Sequence, residues 1–244
     1  MSDIKSIKEP TKVVQDDIIY ILNEEDKTAD IINNDYACGD IFIPRSIKYE
    51  NSEFIVISIL ESSFENSKIS SIRFPLDSEV RVIEKNAFKS SLLVSINIPR
   101  HVTKISEGIF SFCHNLKNIE YHPNSELQVI EKNAFKCSSI ESLVIPSSVS
   151  ELKSGWLNKA GQLEKLTVMP NNKNFRNYDD KLVLGKSDNK SDEYDVVVFA
   201  QRGIKSVTLP SNIKKIGPCA FAHSSIESIM IPSSVTHICR GAFM

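Results

Sequence analysis

Glycine is scarce in this chain, at eight residues among 244. No G-x-G-x-x-G fingerprint and no phosphate-binding loop are present, so a glycine-built nucleotide cradle is not expected. The H-E-x-x-H pair of a zinc hydrolase and the G-x-S-x-G elbow of a serine hydrolase are also missing. Cysteine occurs five times (Cys38, Cys113, Cys137, Cys219, Cys239). The number is odd and no C-x-x-C pair exists, which excludes a disulfide framework. Neither sign of charge dominates: 29 Lys and Arg against 31 Asp and Glu leave a net charge of −2. Nucleic acid, which normally demands a basic face, is therefore not an expected partner. The longest apolar runs, IIYIL at 18–22 and FIVISIL at 54–60, fall far below the ~20 residues of a membrane helix. The opening MSDIKSIKEPTKVV carries no apolar h-region of a secretory signal. As written, the chain is expected to be soluble and cytoplasmic, with no membrane span. One N-x-S sequon, Asn189–Ser191, is a match that arises easily by chance.

What the chain has is a repeat. Pro99, Pro146, Pro210 and Pro232 are each followed three places on by an aliphatic residue, six places on by another, and eleven places on by a large apolar residue (Phe110, Leu157, Phe221, Phe243). Whole words recur: IEKNAFK at 83–89 and 130–136, SSIES at 138–142 and 224–228, IPSSV at 145–149 and 231–235. A period of roughly 22–25 residues is the mark of stacked units, each too small to bury its own apolar face.

The segments leading into the prolines, such as LVSINIP (93–99) and SIESLVIP (139–146), alternate apolar and polar residues at their ends. That is strand geometry, and proline ends the strand because it lacks an N–H for the ladder. Stacking predicts a parallel sheet whose inward column is Ile72, Ile96, Ile119, Leu143, Leu166, Val207 and Ile229. Two outward columns follow. One is Ser71, Ser95, Asn118, Ser142, Lys165, Ser206, Ser228; the other is Arg73, Asn97, Glu120, Val144, Thr167, Thr208, Met230. Small hydroxyls suit a tightly curved sheet and need only solvate it. The sharper expectation is a protein-binding strip made of Arg73, Asn97, Asn118, Glu120, Val144, Lys165, Thr167, Thr208 and Met230.

Two residues before each aromatic stand Asn86, Gly108, Asn133, Gly155 and Gly241, with Cys219 departing. Gly and Asn tolerate positive φ, so a left-handed backbone is expected there. Cys113 and Cys137 read as small buried spacers at neighbouring levels. Cys219, His223, His237 and Cys239 could in principle hold zinc, but adjacent stacked turns explain them more simply. The Cys113–His114 pair lacks the third group that would orient a nucleophile and base. No catalytic residue, metal or cofactor is expected.

The words IPSSVTHICRGAF, IEKNAFKCSSIESLVIP and IFSFCHNLKNI resemble the BspA-like leucine-rich repeat family, whose units read L-x-x-I-x-I-P-x-x-V-x-x-I-x-x-x-A-F-x-x-C. The resemblance covers about residues 39–244. The TAD segment at 28–30 and two hairpin-like insertions resemble the large protist branch. Two departures exist: Trp156-Leu157 replaces Ala-Phe, and Cys137 is shifted by one. The resemblance implies a leucine-rich repeat solenoid with short parallel strands on the concave face. The convex side should carry short strands and irregular or short helical turns. It implies a non-catalytic protein–protein interaction module, possible adhesion to host or matrix proteins, and a cell-surface location; an intracellular scaffold is the alternative. The expected organisation is an irregular N-terminal cap over 1–38 and about eight units over 39–244. Hairpin insertions fall near 47–57 and 178–202, with a mobile, solvated tip at 185–195, and the last unit is truncated.

Overall fold

The computed structural model describes residues 10–244; the first nine residues of the expected cap lie outside them. Within the expected cap, residues 11–31 form an antiparallel meander of β1 (Thr11–Gln15), β2 (Ile18–Asn23) and β3 (Thr28–Ile31), with the IIYIL run as its middle strand. The alternation of IIYIL buries Ile18, Tyr20 and Leu22. β4 (Cys38–Phe42) opens the repeats. The first insertion is a hairpin of β5 (Ser46–Tyr49) and β6 (Ser52–Ile59), turned at Glu50, whose φ is 52°. Then come β7 (Lys68–Arg73), β8 (Val82–Ile83), β9 (Ser95–Ile98), β10 (Lys104–Ile105), β11 (Asn118–Tyr121), β12 (Val129–Ile130), β13 (Ser142–Ile145), β14 (Glu151–Leu152) and β15 (Lys165–Val168). The second insertion supplies β16 (Phe175–Tyr178), β17 (Leu182–Gly185) and β18 (Val196–Ala200). β19 (Ser206–Thr208), β20 (Lys215–Ile216), β21 (Ser228–Met230) and β22 (His237–Ile238) complete the stack.

Longer strands line one face (β4, β7, β9, β11, β13, β15, β19, β21) and two-residue strands line another (β8, β10, β12, β14, β20, β22). Neighbours on either face pair parallel, in the register the repeat predicts: Ile72 lies opposite Ile96, Ile96 opposite Ile119, Leu143 opposite Leu166, and Val207 opposite Ile229. All of the inward column except Ile229 is buried. The long-strand face is not one continuous sheet, however. It divides into β4–β7–β9–β11, β13–β15 and β19–β21.

The turns depart from expectation in kind. Among the described residues there is no helical segment. Each turn instead carries two left-handed residues flanking the aromatic. Two places before it stand Ser62, Asn86, Gly108, Asn133, Gly155, Cys219 and Gly241; two places after it stand Asn66, Ser90, Phe112, Cys137, Lys159 and His223. Cys219, which departs from the Gly or Asn of the other units, is left-handed as well, at φ 56°. The reason lies in the hydrogen bonding. The N–H groups of Asn86, Phe88 and Ser90 point along the stack and donate to Glu107, Ile109 and Ser111 of the next unit. The N–H groups between them, of Ala87 and Lys89, close the turn on Glu84 and Asn86. A helix would spend all of these donors within one unit. The left-handed residues let alternate donors face outward along the axis.

This register also corrects the two cysteines. Cys113 belongs to a column of small buried residues three places after the aromatic, with Ser67, Ser91, Ser138 and Ala160. Burial pushes its thiol up to about 11, and its sulfur contacts the Phe88 carbonyl at 3.0 Å. Cys137 lies in the left-handed column and is only half-buried.

The aromatics stack: Phe64–Phe88, Phe88–Phe110 and Phe110–Phe135 have ring centroids 5.6, 5.9 and 5.5 Å apart. The column ends edge-on at Trp156 (81°) and resumes at Phe221–Phe243. Between these points the second insertion replaces a unit. Its β17 is buried on both sides. Val183 and Phe199 join the large N-terminal core, while Leu182, Leu184, Val197 and Ala200 join a second core around Val207, Ile213 and Phe221. The hairpin is thus a partition between two halves of the interior, and only the tip beyond Gly185 is exposed. That tip is tied down by Asp195. Burial raises the Asp195 pKa, but the Ser187 hydroxyl and N–H, helped by Lys214, hold it below the usual carboxylate range.

A side chain in the left-handed region costs ~1–2 kcal/mol, whereas glycine adopts it freely. Cys219→Gly is therefore expected to stabilise the protein by about 0.5–1 kcal/mol in urea denaturation, after the entropy glycine adds to the unfolded chain. Asn86→Ala should destabilise it by about 1 kcal/mol. Loss of stability in Cys219→Gly would contradict the assigned role of the turn.

Candidate interaction surface

Strand alternation places all nine candidate residues on the outer side of the long-strand face. Asn97 lies opposite Glu120, Asn118 opposite Ser95, Val144 opposite Thr167, and Thr208 opposite Met230; Lys165 stands opposite Ser142. Arg73, Asn118, Glu120, Lys165, Thr208 and Met230 are exposed, while Asn97, Val144 and Thr167 are half-buried. Strands position these side chains, so little ordering would accompany contact with a partner.

Their chemical availability differs. Asn97 is already engaged: its side-chain amide accepts from the Phe74 N–H (2.9 Å) and donates to the Phe74 carbonyl (3.1 Å). It extends the ladder and is not a free recognition group. Asn118 donates to Glu120 at 3.0 Å. Two further residues share the surface. Phe42, 58% exposed, lies opposite Arg73, and Asp40 lies opposite Ser71. The Ser71 and Ser70 hydroxyls donate to Asp40; together with nearby Arg73 they outweigh burial and hold its pKa below the usual carboxylate range. Phe42 stands two places before Pro44, as Arg73 does before Pro75, so the same alignment carried one unit further back reaches it. At the other end a depression of about 270 Å³ is lined by Lys181, Ser206, Thr208, Ser228 and Met230. Lys181 comes from the insertion, outside the repeat alignment.

The seam between β15 and β19 is closed by two side chains. Gln201 accepts from the Leu166 N–H (3.1 Å) and donates to the Leu166 carbonyl (2.8 Å). Asn177 does the same for Val168, at 3.0 Å in both directions. A carboxamide carries the same donor and acceptor as a peptide group, and here it stands in for the missing strand. No sequence signal marks such a role, because it depends on strand spacing. Asn97 uses the same device at Phe74.

Cys219 and His223, with His237 and Cys239 one unit on, occupy turn and short-strand positions. Among the described residues no three His, Cys, Asp or Glu side chains cluster as metal ligands would. No helix of the described residues is long and apolar enough to cross a membrane.

Removing either bridging amide leaves a backbone pair on β15 unsatisfied, which costs ~1–3 kcal/mol where it is buried. Gln201→Ala and Asn177→Ala should each destabilise by about that amount and accelerate hydrogen exchange at Leu166 or Val168 respectively. Unchanged exchange at these amides would remove the bridging role.

The model of the BspA type leucine rich repeat region matches residues 57–179 and 190–244, in six copies. The gap between the two matched stretches falls on β17 and the start of the tip, and residues 1–56 precede the match. Among solved structures, the chain is similar to the pneumococcal vaccine antigen PcpA, with a TM-score of 0.69 and 20% identity, over 93% of this chain and 71% of that one. It is similar to a leucine rich cell surface protein from Faecalibacterium prausnitzii A2-165 (TM-score 0.60, 20% identity, 98% of this chain and 75% of that one). A leucine rich repeat protein from T. pallidum is also similar (TM-score 0.56, 18% identity, 93% and 86%). At these identities the likeness is one of fold. No curated protein matches the chain.

Proposed function

The chain belongs to the BspA type leucine-rich repeat family, and from that premise we propose that it is a non-catalytic protein-binding module whose long-strand face, expected to be concave, receives a protein ligand. The observation that carries this reading is the pair of in-register outward columns. They set Arg73, Glu120 and Lys165 beside the apolar Phe42, Val144 and Met230 on one strand-built surface. Mixed charge with a few apolar anchors is the composition of a recognition surface in which a handful of residues dominate affinity. Asn118, Thr167 and Thr208 supply polar contacts between the anchors, and Asn97 holds the sheet together beneath them.

Adhesion to host or matrix proteins is the first reading of this binding. It is supported by relatives in fold described as a vaccine antigen and a cell surface protein. A second reading, an intracellular scaffold, is favoured by one observation: all five cysteines are free thiols, Cys38 exposed among them. Unpaired thiols suit a reducing compartment.

Charge reversal at Arg73 and Lys165 (Arg73→Glu with Lys165→Glu) should leave the circular dichroism spectrum and the denaturation midpoint unchanged. Both side chains are exposed, and Arg73 acts on its neighbour Asp40 only through its charge. Binding of a protein captured by the intact chain should weaken roughly tenfold or more. Unchanged binding would move the site off this face. Antibody labelling of intact and permeabilised cells separates the two locations: staining of intact cells is expected for the adhesin, and staining only after permeabilisation would eliminate it.

A further inference from the structure

The ladder of the short-strand face is broken twice, between β8 and β10 and again after β14. In the other units the carbonyl of the interior aliphatic residue is taken up by the next level: Ile59 by the Glu84 N–H, Ile105 by Glu131, Ile130 by Lys153, Ile216 by Cys239. The Ile83 carbonyl accepts the Ser106 hydroxyl. Leu152 of β14 is different. Glu151 and Lys153 donate back to Gln128 and Ile130, so the alternation of a parallel ladder turns the Leu152 N–H and C=O the other way. On that side no strand pairs among the described residues: β14 is bonded to β12, and β20 to β18 and β22. Leu152 is correspondingly half-exposed, whereas Ile105, Ile130 and Ile216 are fully buried.

The open edge faces a groove of about 770 Å³, within the range of ligand-binding clefts. One wall is β14 with Trp156. The other is the partition hairpin, with Phe175, Val198 and the tip from Lys186 to Lys190. Of the lining side chains Trp156 and Phe175 are buried, Leu152, Val198, Lys186 and Lys215 half-buried, and Lys190 exposed. Glu151 is neutralised by Lys153 at 2.6 Å. That leaves Lys186, Lys190 and Lys215 against Asp188, a local positive excess on a chain of net charge −2.

We propose that this groove takes a short extended segment of a partner protein, added to β14 as a strand. An unpaired ladder edge supplies backbone hydrogen bonds, and side chains alternating across it supply specificity. Here the inward residues of the ligand are apolar, against Leu152, Trp156 and Val198, and the outward ones are acidic, against the lysines. This site lies on a different face from the proposed long-strand surface and does not depend on it.

The probe is acetyl-Glu-Val-Glu-Val-Glu-amide, titrated calorimetrically into the whole chain at low ionic strength. Saturable binding is expected, weakened roughly tenfold or more by Lys190→Glu with Lys215→Glu and lost when lysine replaces glutamate in the peptide. N-methylation of the peptide at alternate backbone nitrogens should abolish binding for one parity and leave it for the other, because only every second N–H faces β14. Lys190→Glu alone, on the exposed tip, keeps the test valid if the double variant fails to fold. The proposal is overturned by absence of saturable binding, by equal affinity of the lysine peptide or the folded charge variant, or by tolerance of methylation at both parities. A dimer of the chain that the peptide disperses would also overturn it, since the occupant would then be a second copy.

Discussion

Backbone hydrogen bonds that run from each unit to the next hold this protein in its shape. They form on up to three sides of a level: between the longer strands within each sheet, between the two-residue strands, and between the turns, where Phe64 donates to Ala87, Phe88 to Ile109, Phe110 to Ala134 and Phe135 to Trp156. A level of some two dozen residues has no interior of its own. It acquires one when its neighbours cover the inward residues above and below, so stability is built from adjacent interfaces. The turn bonds impose the strictest local demand. They require left-handed backbone on both sides of the aromatic, which the chain meets mostly with Asn and Gly before it and mostly with Ser, Cys, Lys, His and even Phe112 after it.

The second insertion shows what happens when that chain of interfaces is broken. Without a unit to continue the stack after β15, the insertion buries β17 on both faces and gives each half of the interior a new wall. The unsatisfied edge of β15 is closed by the amides of Gln201 and Asn177. The edge of β14 is left open. A single interruption thus produces both the stitched seam on one face and the groove on the other.

Much of this was legible from the repeat. The proline-anchored alignment places Ile72, Ile96 and Ile119 in one buried row and Arg73, Asn97 and Glu120 on its outer side, because strand alternation leaves a side chain only two directions. What escaped has physical causes. The turns were read as irregular or briefly helical because polar turn residues do not reveal where their N–H groups point. Cys219 looked like an exception because propensity alone, without the stacking that enforces φ, argues against it. Cys137 was grouped with Cys113, although one residue of shift moves it from the buried column to the left-handed one. The insertion reads as strand, polar tip and strand, but nothing in its composition tells that the LVLG of β17 buries both faces. Asn97 was counted as a recognition group because its amide, like that of Gln201, pairs with backbone only across a distance the sequence does not encode.

Native-state hydrogen exchange, resolved by segment, tests most directly whether neighbouring levels lend each other their interior. The turn amides of Phe64, Phe88, Phe110 and Phe135 should share the protection of β7 to β13 and open with them in a single cooperative event, and protection should decline toward β21 and β22, where Ile238 is 56% exposed. Protection at β22 equal to that at β9, or turns that exchange independently of the strands they flank, would contradict the account.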